Sequence, residues 1–90
     1  MVNWYLIEET DKHIRYEYYP ENDKEKQPGI ITIDRIADKI ELTKPAEADF
    51  ESYAEEFNER WYYYYNHAEN HIVSDYNNGF IKEAGMTAWY

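Results

Sequence analysis

The chain opens with two runs in which apolar and polar residues alternate. In VNWYLIE (2–8), Val2, Trp4 and Leu6 fall on one side. In HIRYEYY (13–19), Ile14, Tyr16 and Tyr18 do the same, and His13, Arg15 and Glu17 fall opposite. A period of two, rich in aromatic and β-branched residues, predicts strands with one buried face. The short polar link ETDK (9–12) predicts that they pair as a hairpin. GIITID (29–34) and KIELT (39–43) form a second candidate hairpin around RIAD, with Ile31, Ile33, Ile40 and Leu42 sharing the buried face and Ile36 placed to cover a sheet edge. Between the hairpins, PENDKEKQP (20–28) is bounded by prolines and has no apolar residue inside, so it reads as a mobile, solvated loop.

The period changes after Pro45. Phe50, Tyr53, Ala54, Phe57, Trp61, Tyr64, Tyr65, Ala68 and Ile72 recur every three or four residues, the one-face spacing of an amphipathic helix. The spacing predicts a helix over about 49–77, with Asp49 as N-cap, Glu51 near the positive end of the dipole, and Asn78-Gly79 as the stop. Phe80 stands where a Schellman-type contact needs an apolar residue. Such a helix would run about 43 Å, long enough to invite a break near Asn66 or Ser74. The tail GMTAWY (85–90) alternates weakly and predicts a fifth strand. Together these elements predict an α+β fold in a single domain spanning 1–90. Four to five antiparallel strands form a meander, and one long amphipathic C-terminal helix packs on one face. The last strand returns beside the first, in the order 5-1-2-3-4.

Composition narrows the chemistry. A chain of 90 residues buries only about 60–65% of the surface its unfolded form exposes, so large aromatics are efficient core fillers, and this one has 11 Tyr, 3 Trp and 3 Phe. With no cysteine, disulfides, thiolate catalysis and Cys-ligated metals are excluded. The sequence suggests neither a signal peptide nor a membrane span, and a cytoplasmic location is the expectation. The formal charge of −10 is uneven: residues 45–76 hold eight acids against the single base Arg60. Such a field repels phosphate backbones, so direct nucleic-acid binding is not expected.

RWYYYYNHAENH (60–71) concentrates the side chains most open to a binding role. On the predicted helix, Phe57, Trp61, Tyr64 and Tyr65 share the core direction of Phe50. Tyr62 and Tyr63 lie about 120° and −140° away, among Glu51, Glu55, Glu59 and Glu69. Tyrosine is enriched at interfaces, so Tyr62 and Tyr63 are interface candidates, although exposed rings lying flat on their neighbours are common. The outward sheet face points the same way. It would carry Tyr5, Ile7, Tyr19 and Ile30 among Asn3, Arg15, Glu17 and Thr32, more apolar than a solvated face usually is. The bland alternative is a face partly covered by the 20–28 loop.

His67, His71 and Asp75 stack at intervals of four along the helix and are metal-ligand candidates, but two of them alone do not make a site. Ser74 beside His71 and Asp75 lacks triad geometry, and the three glycines build neither an oxyanion turn nor a phosphate loop. No cofactor and no catalytic residue is expected.

The layout resembles that of small uncharacterised bacterial proteins with two hairpins, an acidic opening like DFESYAEE and a GMTAWY-like tail. The resemblance covers most of the chain and implies no activity. The leading expectation is a non-enzymatic interaction or structural module, forming a homodimer or meeting another protein partner. A second reading is an acidic nucleic-acid mimic that blocks a basic partner through the Glu51, Glu55, Glu59, Glu69 face. A third is a small metal- or ligand-binding domain at the His67/His71 edge.

Overall fold

The alternating runs fold as their periodicity requires. In the computed structural model, which describes residues 1–49, 51–54 and 59–88, strand β1 (Val2–Glu9) pairs antiparallel with β2 (His13–Pro20). Next come β3 (Gly29–Asp34) and β4 (Lys39–Lys44), each antiparallel to its predecessor. Two short strands, β5 (Glu51–Ala54) and β6 (Glu59–Tyr62), form a separate two-stranded sheet. Helix α1 (Tyr63–Asn77) follows, and β7 (Ala84–Thr87) returns to lie antiparallel beside β1. The main sheet therefore runs β4-β3-β2-β1-β7, with α1 packed on one face. This is the α+β architecture that the patterning predicts, including the return of the last strand beside the first.

The inward positions of the strands make the core. Val2, Trp4, Ile14, Tyr16, Tyr18, Ile31 and Ile33 are buried, and Ala68 and Ile72 of α1 press on them. Leu6, Ile40, Leu42, Tyr64, Tyr65 and Tyr76 pack at the margin. Two aromatic rings lie directly over glycines on the neighbouring strand. Tyr18 is the cross-strand partner of Gly29, and Trp4 that of Gly85. A Cβ at either glycine would drive into the ring. Both rings are almost wholly enclosed, so they have no room to yield.

The helix differs from the prediction at its start. It begins at Tyr63, so neither Asn66 nor Ser74 breaks it, and the stretch read as its first turns contains β5 and β6. Four-residue strands are too short for periodicity to separate them from turns of helix, which is why the three-and-four spacing misled. Phe50 and Phe57, expected in the core, lie outside the described residues.

Asp49 nevertheless caps the helix, from a distance. Tyr62 occupies the N-cap position in extended conformation and makes no side-chain cap. Instead the Tyr64 N–H donates to Asp49 Oδ1 at 2.9 Å and the Tyr65 N–H donates to Oδ2 at 3.0 Å. These are the second and third amides of the helix, two of the donors that a first turn leaves unpaired. The Tyr18 hydroxyl donates to Asp49 Oδ2 at 2.6 Å and accepts from the Ala46 N–H at 3.0 Å. Asp49 is 8% exposed and Tyr18 0%. At the other end the predicted stop forms. Gly79 adopts φ 83°, its N–H reaches the Tyr76 carbonyl at 3.0 Å, and the Phe80 N–H reaches that of Asp75 at 2.9 Å. This is the Schellman pattern. The 34–38 turn is held by Asp34 Oδ1 accepting from the Ile36 and Ala37 amides, which leaves Ile36 77% exposed rather than covering an edge.

Replacing Asp49 with Ala should lower stability by about 2–4 kcal/mol, measured by urea denaturation, because about 1 kcal/mol of capping is lost and the buried Tyr18 hydroxyl is stranded. A change below ~0.5 kcal/mol would contradict the shared-carboxylate account. Burial, and then the bond to Asp49, push the Tyr18 phenol above its ordinary 10.0. Burial followed by Glu69 does the same to Tyr65. A group with a raised folded pKa stabilises below its unfolded value and loses that contribution as pH rises. Stability should therefore hold up to about pH 10 and fall above it, with the phenolate absorbance of these tyrosines rising only as the fold melts.

Candidate functional site

Helix α1 covers one face of the main sheet, and among the described residues no helix covers the other. The strand register brings its side chains into rows. Met86 of β7, Asn3 of β1 and Tyr19 of β2 align, and Ala84, Tyr5, Glu17 and Ile30 form the next row. Tyr5 and Tyr19 meet edge to face, with ring centroids 5.8 Å apart. Both are half-buried, as is Ile30, whereas Ile7 is 47% and Met86 48% exposed. Met86 belongs to this patch although sequence reasoning did not name it. Only the pairing register of β7 against β1 assigns it to the face, and that register is a tertiary fact.

A β-bulge alters the far end of the face. The β1–β2 register shifts between Leu6 and Glu8, so Glu8, not Ile7, lies opposite Arg15. Glu8 Oε1 is 2.8 Å from His13 Nε2, and Arg15 Nη1 donates to Oε2 at 3.1 Å. The His13 hydrogen bond, with Arg15 adding to it, holds the Glu8 carboxyl below its ordinary 4.5. Thr32, expected on the solvated face, is 7% exposed and shares a 2.6 Å hydrogen bond with the Thr43 hydroxyl.

The loop between β2 and β3 folds back over one corner. The Tyr5 hydroxyl donates to Asn22 Oδ1 at 2.8 Å, and Lys24 Nζ stands 4.5 Å from the centre of the Tyr5 ring. Two acid–base pairs follow the register, Glu8 opposite Arg15 and Asp34 opposite Lys39, and Lys44 lies opposite Ile30.

The helical candidates are dispersed. Tyr62 ends β6, and Tyr63 opens α1 with its ring edge to face with Tyr64 at 5.3 Å and with His67 at 5.1 Å; both tyrosines are half-buried. The acidic row does not form along one helix. Glu51 and Glu59 stand on β5 and β6, Glu55 lies outside the described residues, and Glu69 alone of the four is on α1. The expected row required a continuous helix from residue 49, and the chain makes a hairpin there instead.

His67, His71 and Asp75 line an open cleft of about 390 Å³ with Asn70, Ser74 and Thr87. His71 is engaged on three sides. Nδ1 is 3.0 Å from Thr87 Oγ1, Nε2 is 3.7 Å from Asp75 Oδ2, and the ring meets Trp4 edge-on at 4.9 Å. Asp75 also receives Lys82 Nζ at 3.3 Å. Among the described residues, no three His, Cys, Asp or Glu side chains gather to hold a metal. Ser74 is exposed, and the His71 nitrogens face Thr87 and Asp75. A second cleft of about 340 Å³ lies between Ile33, Ile40, Val73 and Tyr76, closed at one side by the Tyr76 hydroxyl donating to Asp38 Oδ1 at 3.0 Å. Among the described residues, no helix is long and apolar enough to cross a membrane.

Comparison with protein-family models, curated proteins and solved structures finds no match for the chain. The case for function therefore rests on this geometry.

With both ring nitrogens of His71 engaged, zinc in hundredfold excess should leave the melting temperature unchanged. A rise would reveal a native-state ligand site at this edge.

Proposed function

We propose that the protein is a non-enzymatic interaction module that self-associates through the sheet face α1 leaves uncovered. The observation that carries this reading is the apolar surface grouped on that face by strand register: Met86, Tyr5, Tyr19 and Ile30. Two copies of a chain with net charge −10 repel one another, and the acid–base pairs Glu8–Arg15 and Asp34–Lys39 beside these residues lower that cost locally. Tyr and Met are also among the side chains enriched in interface cores, and sheet faces pack well against one another. The Glu8–His13–Arg15 cluster at the rim would fix orientation more than it adds affinity.

Light scattering across a concentration series tests the reading. The expected result is a rise from the 11.0 kDa chain to twice that mass. Changing Tyr19 to Asp together with Met86 to Glu should weaken the dimer at least tenfold, about 1.4 kcal/mol, with helix content unchanged. Changing Tyr62 and Tyr63 to Ser should leave it intact. A mass that stays at 11.0 kDa throughout discards self-association, and loss of the dimer in the Tyr62/Tyr63 variant moves the interface to the start of the helix.

A further inference from the structure

The main sheet has two edges, and they are built differently. On β4, Lys39, Glu41 and Lys44 are exposed, Pro45 follows at once, and the β3–β4 register is irregular between Ile30 and Ile31. Charge, proline and irregularity are the usual guards against unwanted strand pairing. On β7, the sequence Ala84-Gly85-Met86-Thr87 has no charge, no proline and a regular register against β1. Among the described residues no other strand pairs with its outer side.

The direction of the free backbone groups follows from one hydrogen bond. The Leu6 N–H donates to the Glu83 carbonyl at 2.8 Å. Antiparallel partners alternate between bonded and non-bonded pairs, so the backbone groups of Gly85 and Thr87 also turn toward β1. Those of Ala84 and Met86 turn to the open edge.

Beside that edge lies the cleft of about 390 Å³ lined by His67, Asn70, His71, Ser74, Asp75 and Thr87. Among the described residues Thr87 is the one strand residue that lines it, so the cleft sits between α1 and β7. An unpaired strand edge flanked by a helix and a groove is the arrangement that accepts an extended peptide as an added strand.

We propose that the groove between β7 and α1 binds an extended peptide whose basic and apolar residues alternate, added antiparallel to β7. The alternation follows from the two sides of the edge. Side chains turned toward α1 enter a polar groove holding Asp75, whose carboxylate already meets Lys82 Nζ at 3.3 Å and His71 Nε2 at 3.7 Å, so a basic side chain there is drawn by the field of a chain with net charge −10 and shares Asp75 with Lys82. Side chains turned the other way lie beside Ala84 and the exposed Met86. Residues opposite Ala84 and Met86 share their face and exchange backbone hydrogen bonds with them, so the apolar residues carry the bonding amides and the basic residues fill the groove. This site borders the sheet face proposed for self-association and shares Met86 with it, so the Tyr5 and Tyr19 substitutions below, which lie on that face alone, tell the two apart.

A fluorescein-labelled hexapeptide alternating lysine and valine, measured by fluorescence anisotropy against the full chain, tests the proposal. Saturable binding is expected. A glutamate–valine counterpart should bind at least tenfold more weakly. N-methylation of the valines, which blocks the amides facing β7, should also cost at least tenfold, whereas N-methylation of the lysines should not. On the protein side, Ala84→Pro removes an outward N–H that β1 does not use and should weaken binding by a similar factor. A Tyr5→Ser, Tyr19→Ser chain should bind the peptide normally. The proposal is overturned if the lysine–valine peptide does not bind, if the two N-methylated forms bind alike, or if Ala84→Pro halves the solution mass, which would assign the edge to a second copy of the chain.

Discussion

One buried carboxylate sets the relation between sheet and helix. Asp49 accepts from the Tyr64 and Tyr65 amides and from the Tyr18 hydroxyl, which itself accepts from the Ala46 amide. Three chain segments, β2, the 46–49 turn and the start of α1, therefore converge on two side chains in a region with little access to water. The first turn of α1 has no acidic residue of its own, and Tyr62 provides no side-chain cap. Without Asp49, the positive end of the helix would face a buried phenol in place of a carboxylate. A fully satisfied polar network in such surroundings favours one arrangement over its neighbours, because every alternative leaves a donor unpaired. The same contact fixes the Tyr18 ring over Gly29 and so carries the constraint from the helix start to the middle of the sheet.

That constraint leaves the molecule two-sided. The inner face is committed to aromatic and aliphatic packing under α1. The outer face keeps grouped apolar residues beside the Glu8–Arg15 and Asp34–Lys39 pairs. A strongly acidic chain that distributes its charge evenly would be soluble and largely inert toward copies of itself. Here the apolar side chains of the outer strands are instead gathered on one face. The two edges of the sheet are unequal in the same sense, one guarded by lysines and a proline and the other bare.

Much of this was legible in the residues. The alternation of Val2, Trp4, Leu6 and of Ile14, Tyr16, Tyr18 assigns the buried face without ambiguity, because a slip of one residue would expose every one of them. Asn78, Gly79 and Phe80 announce the helix end, since left-handed backbone there favours glycine. The helix start was not legible. Asp49 looked like a cap for the residues next to it, yet it caps amides across an intervening hairpin, and no local rule relates positions so far apart. The candidate face was read from β1, β2 and β3, but Met86 joined it only through the β1–β7 register. Ile7 was displaced from its expected row by a bulge that no glycine marks. In each case the missing information was a long-range pairing, and sequence periodicity carries only local phase.

The position of β1 has a consequence for how the sheet is made. The first strand is interior, and its outer partner is the last strand: Val2 pairs with Thr87 and Tyr5 with Ala84. During synthesis, β1 through β4 can pair as consecutive hairpins, but one side of β1 stays unpaired until Ala84–Thr87 have been added. Pairing at so great a sequence separation comes with a large loop-closure cost and tends to be slow. The nascent chain thus holds an open strand edge beside Trp4 until β7 arrives to close that side of the sheet.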